Sequence, residues 1–202
     1  MIPVALQAEP SHFEGRVRQP GLAFLHKKPR PTTAEFASHA YWQRVYDDIL
    51  ILYNRICAYT GCKIICGEQI DHFLPKNKYP DLAYEWSNYR LSYGKINQYK
   101  LSCDDILDPF EIEEGWFVLD FPSCLVKPKR DLGADLVEKI NITIDRLGLN
   151  RDESLVQSRC SIVKAYVCGH ISFNHLQDYY PFIAFEIDRQ GLKASMQDVF
   201  LL

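Results

Sequence analysis

Apolar residues at helical spacing mark the first regular element of the chain. Seven side chains recur at intervals that fit one helix face: Trp42, Val45, Tyr46, Ile49, Leu52, Tyr53 and Ile56. Thr32 is followed three residues later by Glu35, which is typical of a capping box, where each side chain bonds the other residue's backbone N–H. The pattern predicts a helix that begins at Thr32 and buries its apolar stripe.

The hydrophobic period changes at Cys57. The segment CAYTGCKIICGEQIDHFLP contains short runs rich in β-branched residues and cysteine, and Gly61 and Gly67 flank them. This composition predicts two strands joined by a turn. Pro75 and Pro80 then predict a loop, and a short helix is predicted over about residues 93–100. The expected order is strand, strand, loop, helix.

The second half of the chain predicts a hairpin and helices. The segment LDPFEIEEGWFVLDF suggests a hairpin with Glu114 and Gly115 in the turn and with Trp116 and Val118 pointing inward. Two helices are then predicted, one over residues 131–147 that stops at Gly148, and a second that runs to about Val167. The apolar stripe of the first helix consists of Leu136, Ile140, Ile144 and Leu147. Asn150 and Glu153 have the spacing of a cap at the start of the second helix.

The first 31 residues predict an extended arm, because they hold five of the eleven prolines. Residues 16–30, RVRQPGLAFLHKKPR, carry five Lys or Arg and no acid. Such an arm could lie along phosphates, or it could be a solvated terminus.

Composition narrows the class of protein. A hydrophobic content of 47% with 13% aromatic residues is typical of a folded globular chain. The sequence has neither an 18-residue apolar run nor a signal-peptide pattern, so we expect a cytoplasmic protein without a membrane span. Seven cysteines, an odd number, argue against a disulfide framework and for a reducing compartment. The net charge of −3 does not by itself indicate a polyanion partner.

Candidate chemistry begins with Asp71 and His72, which are adjacent in the apolar run IDHFLPK. In a strand their side chains point to opposite faces, so one of them should be buried or bound. Taken alone, the pair suggests ordinary hydrogen-bonded core residues. The spacing to further polar residues changes this interpretation: Asn88 follows His72 by sixteen residues, Asn97 follows nine later, and Lys100 three later.

This set of residues resembles the HNH endonucleases, whose core is a ββα-metal motif, over about residues 55–101. The resemblance implies that His72 is the base that activates water and that Asp71 and Asn97 hold Mg²⁺ or Mn²⁺. It also implies that Asn88 bonds the backbone of the loop that aims His72, and that Lys100 steadies the leaving group or the phosphate.

The sequence departs from the commonest HNH pattern at two points. Asn97 stands where many members have His, which makes an HNN variant and suits a hard cation. The four positions that hold a structural zinc in many members are here Cys57, Thr60, Tyr93 and Ile96, which argues against that zinc. Tyr93 and Ile96 are expected to fill its space instead. An irregular site from Cys57, Cys62, Cys66 and Cys103 is the alternative.

Further polar residues allow a functional and a plain interpretation. Four basic residues near the motif are expected to contact nucleic acid, although scattered surface charges are common: Lys76, Lys78, Arg90 and Lys95. Cys168, His170 and His175 in CGHISFNH could suggest a metal site, but a helix-end loop is the better interpretation.

The sequence thus predicts an α+β protein in three parts. These are a basic arm over residues 1–31, the helix with the HNH core and hairpin over 32–125, and a helical region over 126–202. The runs IDHFLPKNKYP and AYEWSNYR resemble the HNH nucleases of Septu-type and retron-linked antiphage systems, which implies an ATPase partner. The expected activity is metal-dependent cleavage of DNA. A catalytically inactive binding or scaffold subunit and an RNA-cleaving nuclease are the alternatives.

Overall fold

The computed structural model describes residues 1–200, except for the side chain of Gln197. It divides into two compact units. Unit 1 comprises Met1–Val4, Ala58–Lys63 and the described part of Asp105–Leu202, and unit 2 comprises Ala5–Cys57 and Ile64–Asp104. The described chain is mixed α+β, with helices and two small antiparallel sheets, as predicted. The predicted division at residues 31 and 125 separates parts of the chain by their expected roles, and it stays a prediction.

Unit 2 begins with helical turns where an extended arm was predicted. A π-helical turn, Glu14–Arg18, runs into helix α1, Gln19–Lys27. The extended conformation predicted for residues 1–31 was therefore wrong over residues 14–27. The reason is a stripe at intervals of four residues, hidden among basic residues and prolines, whose members are all buried: Phe13, Val17, Gly21 and Leu25.

Acidic partners neutralise the central basic residue of this segment. Arg18 bonds the carboxylates of Glu9, Glu14 and Glu85. The bond to Glu9 makes the largest contribution to the raised pKa of Arg18. This guanidinium is therefore committed to carboxylates and not to phosphates.

The long helix predicted from Thr32 is broken into shorter ones. Helix α2 spans Thr33–Ser38, a 3₁₀ turn spans Tyr41–Val45 and helix α3 spans Tyr46–Leu52. The capping box is confirmed, since Thr32 N donates to Glu35 Oε2 at 2.8 Å and Glu35 N to Thr32 Oγ1 at 3.3 Å.

The break lies at His39. Its Nδ1 lies 2.9 Å from the carbonyl oxygen of Glu35, and its ring stacks on Phe24 at 3.8 Å. A tertiary contact thus ends the helix where no proline or glycine does. Trp42, Val45 and Ile49 are nevertheless buried, as the apolar stripe predicts.

Two strands and a helix follow in unit 2. Strand β1, Glu68–His72, pairs antiparallel with strand β2, Tyr89–Tyr93, and Asp71 lies opposite Arg90. Helix α4, Gly94–Lys100, follows β2 directly, which confirms the helix predicted there. The loop between the strands contains two 3₁₀ turns, Pro80–Leu82 and Trp86–Asn88.

Of the two strands predicted before residue 75, the second is confirmed as β1, which ends at His72, and the first was wrong. Residues 57–66 contain turns and bends with one bridge residue, Lys63, and Ala58–Lys63 belongs to unit 1. The sequence pattern did not reveal β2, which is the partner of β1. Residues Tyr89 to Ser92 are buried on both faces of the sheet, so this run lacks the alternation of apolar and polar residues that marks a half-exposed strand.

The hairpin of unit 1 lies later than predicted. Strand β3, Phe117–Asp120, pairs with strand β4, Leu125–Pro128. Phe117 and Leu119 are the buried positions, so the predicted inward set of Trp116 and Val118 was out of phase by one residue. Gly115, at φ +80°, makes a turn that leads into β3 rather than the hairpin turn.

Helices complete unit 1. Helix α5 spans Ala134–Arg146 and helix α6 spans Glu153–Val167, as predicted. Asp152 rather than Asn150 caps α6, and Asn150 instead bonds both backbone groups of Val126. The two-helix prediction was incomplete, because three more follow: α7, Phe173–Tyr179, α8, Pro181–Arg189, and α9, Met196–Phe200.

Cys124 and Cys160 form a disulfide, with Cα atoms 5.6 Å apart. One disulfide is thus present in a chain whose odd number of cysteines argued against a disulfide framework. Spacing along the chain could not reveal it, because 36 residues separate the two. Among residues 1–200, no helix has the length and apolar character needed to cross a membrane.

Candidate active site

The end of β1 forms one wall of a small polar pocket in unit 2. Asp71, His72, Lys76 and Asn97 all line this pocket, whose volume is about 90 Å³. Both members of the Asp71-His72 pair are buried, whereas the strand pattern required burial of only one. A pocket of this size admits several water molecules, since roughly 10–15 Å³ of such volume holds one.

A backbone carbonyl and two aromatic rings orient His72. Its Nε2 lies 2.9 Å from the carbonyl oxygen of Ala83. Trp42 contacts the imidazole edge-on at 4.7 Å and Tyr89 does so at 5.2 Å. Because a carbonyl only accepts, Nε2 carries the hydrogen and Nδ1 presents a lone pair. The ring is therefore fixed in one tautomer.

Burial lowers the pKa of His72 to about 3. The positive charges of Lys76 and Lys100 act in the same direction, while the bond to Ala83 opposes them. The imidazole is therefore neutral at physiological pH, which is the protonation state that a proton acceptor requires.

Lys100 lies beneath the pocket rather than on its surface. It is fully buried at the end of α4, and its Nζ donates to Asp71 Oδ1 at 3.2 Å and to the carbonyl oxygen of His72 at 2.8 Å. One ammonium thus ties the helix end to both residues of the motif. In this conformation Lys100 contacts the motif and not the surface where a phosphate would arrive.

Asn88 bonds backbone groups only. Leu74 N donates to its Oδ1 at 2.8 Å, and its Nδ2 donates to the carbonyl oxygens of Leu74 and Leu82, each at 3.0 Å. Asn88 thus joins both ends of the loop that carries Lys76 and the first 3₁₀ turn. Its role in aiming His72 stays a prediction.

Asn97 brings a second oxygen donor to the pocket. It is half-buried on α4, and its Nδ2 donates to Gln69 Oε1 at 2.8 Å. This bond orients the amide so that Oδ1 is the atom left to act as a ligand. With the carboxylate of Asp71, the donor set consists of oxygen alone and fits a hard cation such as Mg²⁺ that keeps several waters.

Lys76 is half-buried, and its Nζ lies over the Trp42 ring at 5.3 Å. Burial lowers its pKa; the charge of Asp71 opposes this effect and the charge of Lys100 adds to it. Lys76 is the predicted nucleic-acid residue that the structure places in the pocket lining.

The other predicted nucleic-acid residues are not part of the pocket lining. Lys78 is exposed and pairs with Asp104 at 3.0 Å. Arg90 is buried and donates to the carbonyl oxygens of Ser87 and Tyr89. Lys95 is half-buried on α4. None of these three lines the pocket, although Arg90 lies opposite Asp71 in the sheet.

The positions of the family's structural zinc are used differently here. Tyr93 N donates to the Sγ of Cys57 at 3.4 Å, and Ile96 is fully buried, whereas Tyr93 is 36% exposed. Only Ile96 therefore fills space in the predicted way. Within residues 1–200, no group of three or more His, Cys, Asp or Glu side chains is placed to hold a metal ion.

The histidines of CGHISFNH belong to a helix start. Ser172 accepts a bond from the backbone N–H of His175 and caps α7, and the His175 ring stacks on Tyr179 at 4.5 Å. Cys168 is exposed. This arrangement agrees with the helix-end loop that the sequence favoured.

Sequence reasoning missed three groups that shape the pocket. Trp42 was assigned only to the core stripe, and Tyr89 was not singled out. The carbonyl of Ala83 has no side-chain signature at all. These groups fix the imidazole, and a residue pattern could have indicated only the two aromatic rings.

Comparison with known proteins gives distant relatives. No protein-family model matches the chain. The chain is 30% identical to the Septu protein PtuB of Bacillus thuringiensis over 141 residues, which cover 64% of the chain and 52% of PtuB. The chain thus spans about half the length of this relative.

The second relative is covered more completely. The chain is 28% identical over 166 residues to the "Retron Vc95 putative HNH endonuclease" of Vibrio cholerae serotype O1 biovar El Tor, covering 75% of the chain and 77% of that protein. The resemblance found from the Asp71-His72 motif is confirmed at this level. The chain is a distant homologue of these two bacterial proteins, one from a Septu system and one from a retron.

Proposed function

We propose that the chain is a metal-dependent HNH endonuclease that hydrolyses phosphodiester bonds in DNA. The observation that carries this proposal is the pocket in which Asp71, His72 and Asn97 meet. An oxygen-only donor set and an oriented neutral histidine are what phosphodiester hydrolysis requires. The name of the Vibrio cholerae relative supports the same reaction class.

His72 acts as the proton acceptor in the proposed mechanism. Its Nε2 stays bonded to Ala83, so Nδ1 takes the proton of the attacking water. A pKa of about 3 makes the ring a weak base in the free protein. The negative charge of a bound phosphate favours the imidazolium and raises this pKa as the reaction begins.

The remaining residues hold this arrangement. A divalent cation bound by Asp71 and Asn97 would neutralise charge on the phosphate and on the leaving oxygen. Lys100 positions the Asp71 carboxylate, and Asn88 holds the loop between the strands. Lys100 thereby takes a positioning role instead of the contact with the leaving group that the resemblance implied.

The test is nicking of supercoiled plasmid by the purified full chain with Mg²⁺ or Mn²⁺. We expect nicking by the wild type and at least a hundredfold loss in His72→Ala, since general base catalysis contributes about 10²–10⁴-fold. His26→Ala, at an exposed position, is the matched control. Equal activity of His72→Ala and the wild type, with unchanged circular dichroism, would remove His72 from the mechanism.

One observation favours a non-catalytic alternative. Lys100 already pairs with Asp71, as it would if the ammonium had replaced a metal in a scaffold subunit. Absence of cleavage of both DNA and RNA under either metal would support that alternative. Cleavage of RNA but not DNA would support the ribonuclease alternative.

We further propose that the chain is the nuclease component of a bacterial antiphage system and acts with an ATPase partner. The Septu and retron origins of the two relatives support this role. The test is phage plating on cells that carry the whole system, where His72→Ala should abolish protection and His26→Ala should not. Protection by the His72→Ala system would contradict it.

A further inference from the structure

The charges around the pocket are mostly positive. Among the described side chains that line it, Asp71 is the one carboxylate. Two ammonium groups face this carboxylate: Lys100 contacts it at 3.2 Å, and the charge of Lys76 interacts with it across the pocket. Arg90 lies opposite Asp71 in the sheet and adds further positive charge, so the positive charges near this carboxylate outnumber it.

Lys76 is the cation that can receive a ligand. Lys100 is fully buried, and its ammonium donates hydrogen bonds to Asp71 and to the backbone carbonyl of His72. Lys76 lines the pocket, and within residues 1–200 its ammonium makes no hydrogen bond or ion pair. Its contact with the face of Trp42 holds it in place without neutralising it.

A half-buried ammonium without an anion is costly, and a phosphate in the pocket would remove that cost. The same charges disfavour binding of a divalent cation. It would meet a single carboxylate that already shares its charge with Lys100, and it would face a second ammonium across the pocket. The free site therefore attracts an anion more strongly than it attracts a dication.

We propose that the pocket binds the phosphate of its substrate first, with Lys76 as the residue that contacts it, and binds the divalent cation strongly only afterwards. The phosphate supplies the negative charge that the protein lacks, since Asn97 is a neutral ligand. The identification of this phosphate as part of a DNA strand rests on the proposed function. The order of binding rests on the charges of Asp71, Lys76 and Lys100.

Two binding measurements on the full chain test this order. Binding of a fluorescein-labelled DNA duplex is followed by anisotropy in EDTA over a range of salt concentrations. Binding of Mn²⁺ alone is followed by electron paramagnetic resonance. Lys76→Gln should weaken DNA binding about fivefold and reduce the slope of log K against log salt by about 0.9, the value for one lost phosphate contact.

The same variant should bind Mn²⁺ more strongly than the wild type in the absence of DNA, by about threefold, because a repelling charge is gone. Opposite changes in the two affinities are the signature, since structural damage would weaken both. Lys164→Gln, at an exposed position on α6, is the control, and both of its affinities should stay within about twofold of wild type. Lys76→Arg, which keeps the charge, should restore DNA binding.

A third measurement addresses the order directly. In a His72→Ala background that prevents cleavage, DNA should strengthen Mn²⁺ binding at least tenfold. Addition of Lys76→Gln should reduce this gain. Tight Mn²⁺ binding by the DNA-free wild type, or weaker Mn²⁺ binding by Lys76→Gln, would overturn the proposal.

The outcomes separate this inference from the proposed function. If the wild type cleaves DNA but Lys76→Gln matches Lys164→Gln in both affinities, the inference fails and the nuclease assignment stands. If neither DNA nor RNA is cleaved but the affinities change in opposite directions, the nuclease assignment fails and the phosphate site stands.

Discussion

Lys100 and Asp71 form a buried ion pair, with side chains 0% and 4% exposed and 3.2 Å between Nζ and Oδ1. The same ammonium bonds the carbonyl of His72. A charge removed from water in this way depends on its partners, because loss of either Lys100 or Asp71 would take a partner from the buried group that remains. The pair therefore couples the stability of unit 2 to the geometry of its pocket.

Removal of the ammonium should destabilise the chain. We expect Lys100→Met to lower the free energy of unfolding by about 3–5 kcal/mol, because it takes this partner from the buried Asp71 carboxylate. Urea denaturation followed by circular dichroism measures the change. Lys78→Met, which breaks an exposed pair with Asp104, should cost less than about 1 kcal/mol. Similar losses in the two variants would contradict the burial of this pair.

Loss of the Asn88 amide should weaken the loop between the strands. Asn88→Ala leaves one backbone N–H and two carbonyls without their partner, so we expect a loss of about 2–4 kcal/mol in unfolding free energy. Plasmid nicking should fall with it. The comparison is Asn174→Ala at an exposed position of α7, which should change stability by less than about 0.5 kcal/mol. An unchanged denaturation midpoint for Asn88→Ala would show that the loop does not depend on this side chain.

Two glycines near the start of the chain should respond in opposite ways to alanine. A Cβ at Gly21 would lie 2.1 Å from Cγ of Tyr84, so Gly21→Ala should cost about 1–3 kcal/mol of unfolding free energy. A Cβ at Gly15 would meet no atom of a more distant described residue within 4 Å, and Gly15→Ala should stabilise its turn by about 0.5–1 kcal/mol. Thermal or urea unfolding distinguishes them. A neutral Gly21→Ala would mean that α1 is not held against Tyr84.

Acid should destabilise the chain through His72. Its pKa is about 3 in the folded state, below the ordinary value of 6.5, so the unfolded state binds the proton more readily between these values. As pH falls from about 6.5 toward 3, this group should remove up to about 1.4 kcal/mol of stability per pH unit. His72→Gln, which cannot titrate, should show a shallower loss. Parallel pH profiles would place the imidazole outside the buried pocket.

Reduction should loosen unit 1. The disulfide between Cys124 and Cys160 closes a loop of 36 residues, for which we expect about 2–4 kcal/mol of stabilisation. Dithiothreitol should lower the unfolding free energy of the wild type by this amount and should not affect Cys160→Ser. Cys168→Ser, at an exposed free thiol, should respond like the wild type. Alkylation of all seven cysteines in the unreduced, unfolded chain would contradict the pairing.

Local signals in the sequence were reliable where a few adjacent residues decide the structure. The capping box of Thr32 and Glu35 needs only its own turn, and helix α4 follows from the short run that ends at Lys100. The meeting of Asp71 and Asn97 in one pocket was also accessible, because their spacing resembles that of a known family.

Other features depend on contacts that no short pattern records. The π-helical turn and α1 rest on Gly21 against Tyr84, a partner 63 positions away in the sequence. The burial of Lys100 contradicts the usual exposure of lysine and follows from one carboxylate and one carbonyl. The tautomer of His72 depends on a main-chain oxygen. In each case the deciding partner is distant or is not a side chain.

The division of the chain into units has a consequence for its synthesis. Unit 2, which carries the pocket, contains no residue after Asp104. Unit 1 combines Met1–Val4 and Ala58–Lys63 with residues that are synthesised much later. Domains fold as units while the chain emerges from the ribosome. The pocket can therefore fold while the chain is still being synthesised. The two short segments of unit 1 can pack only after the second half of the chain has been translated.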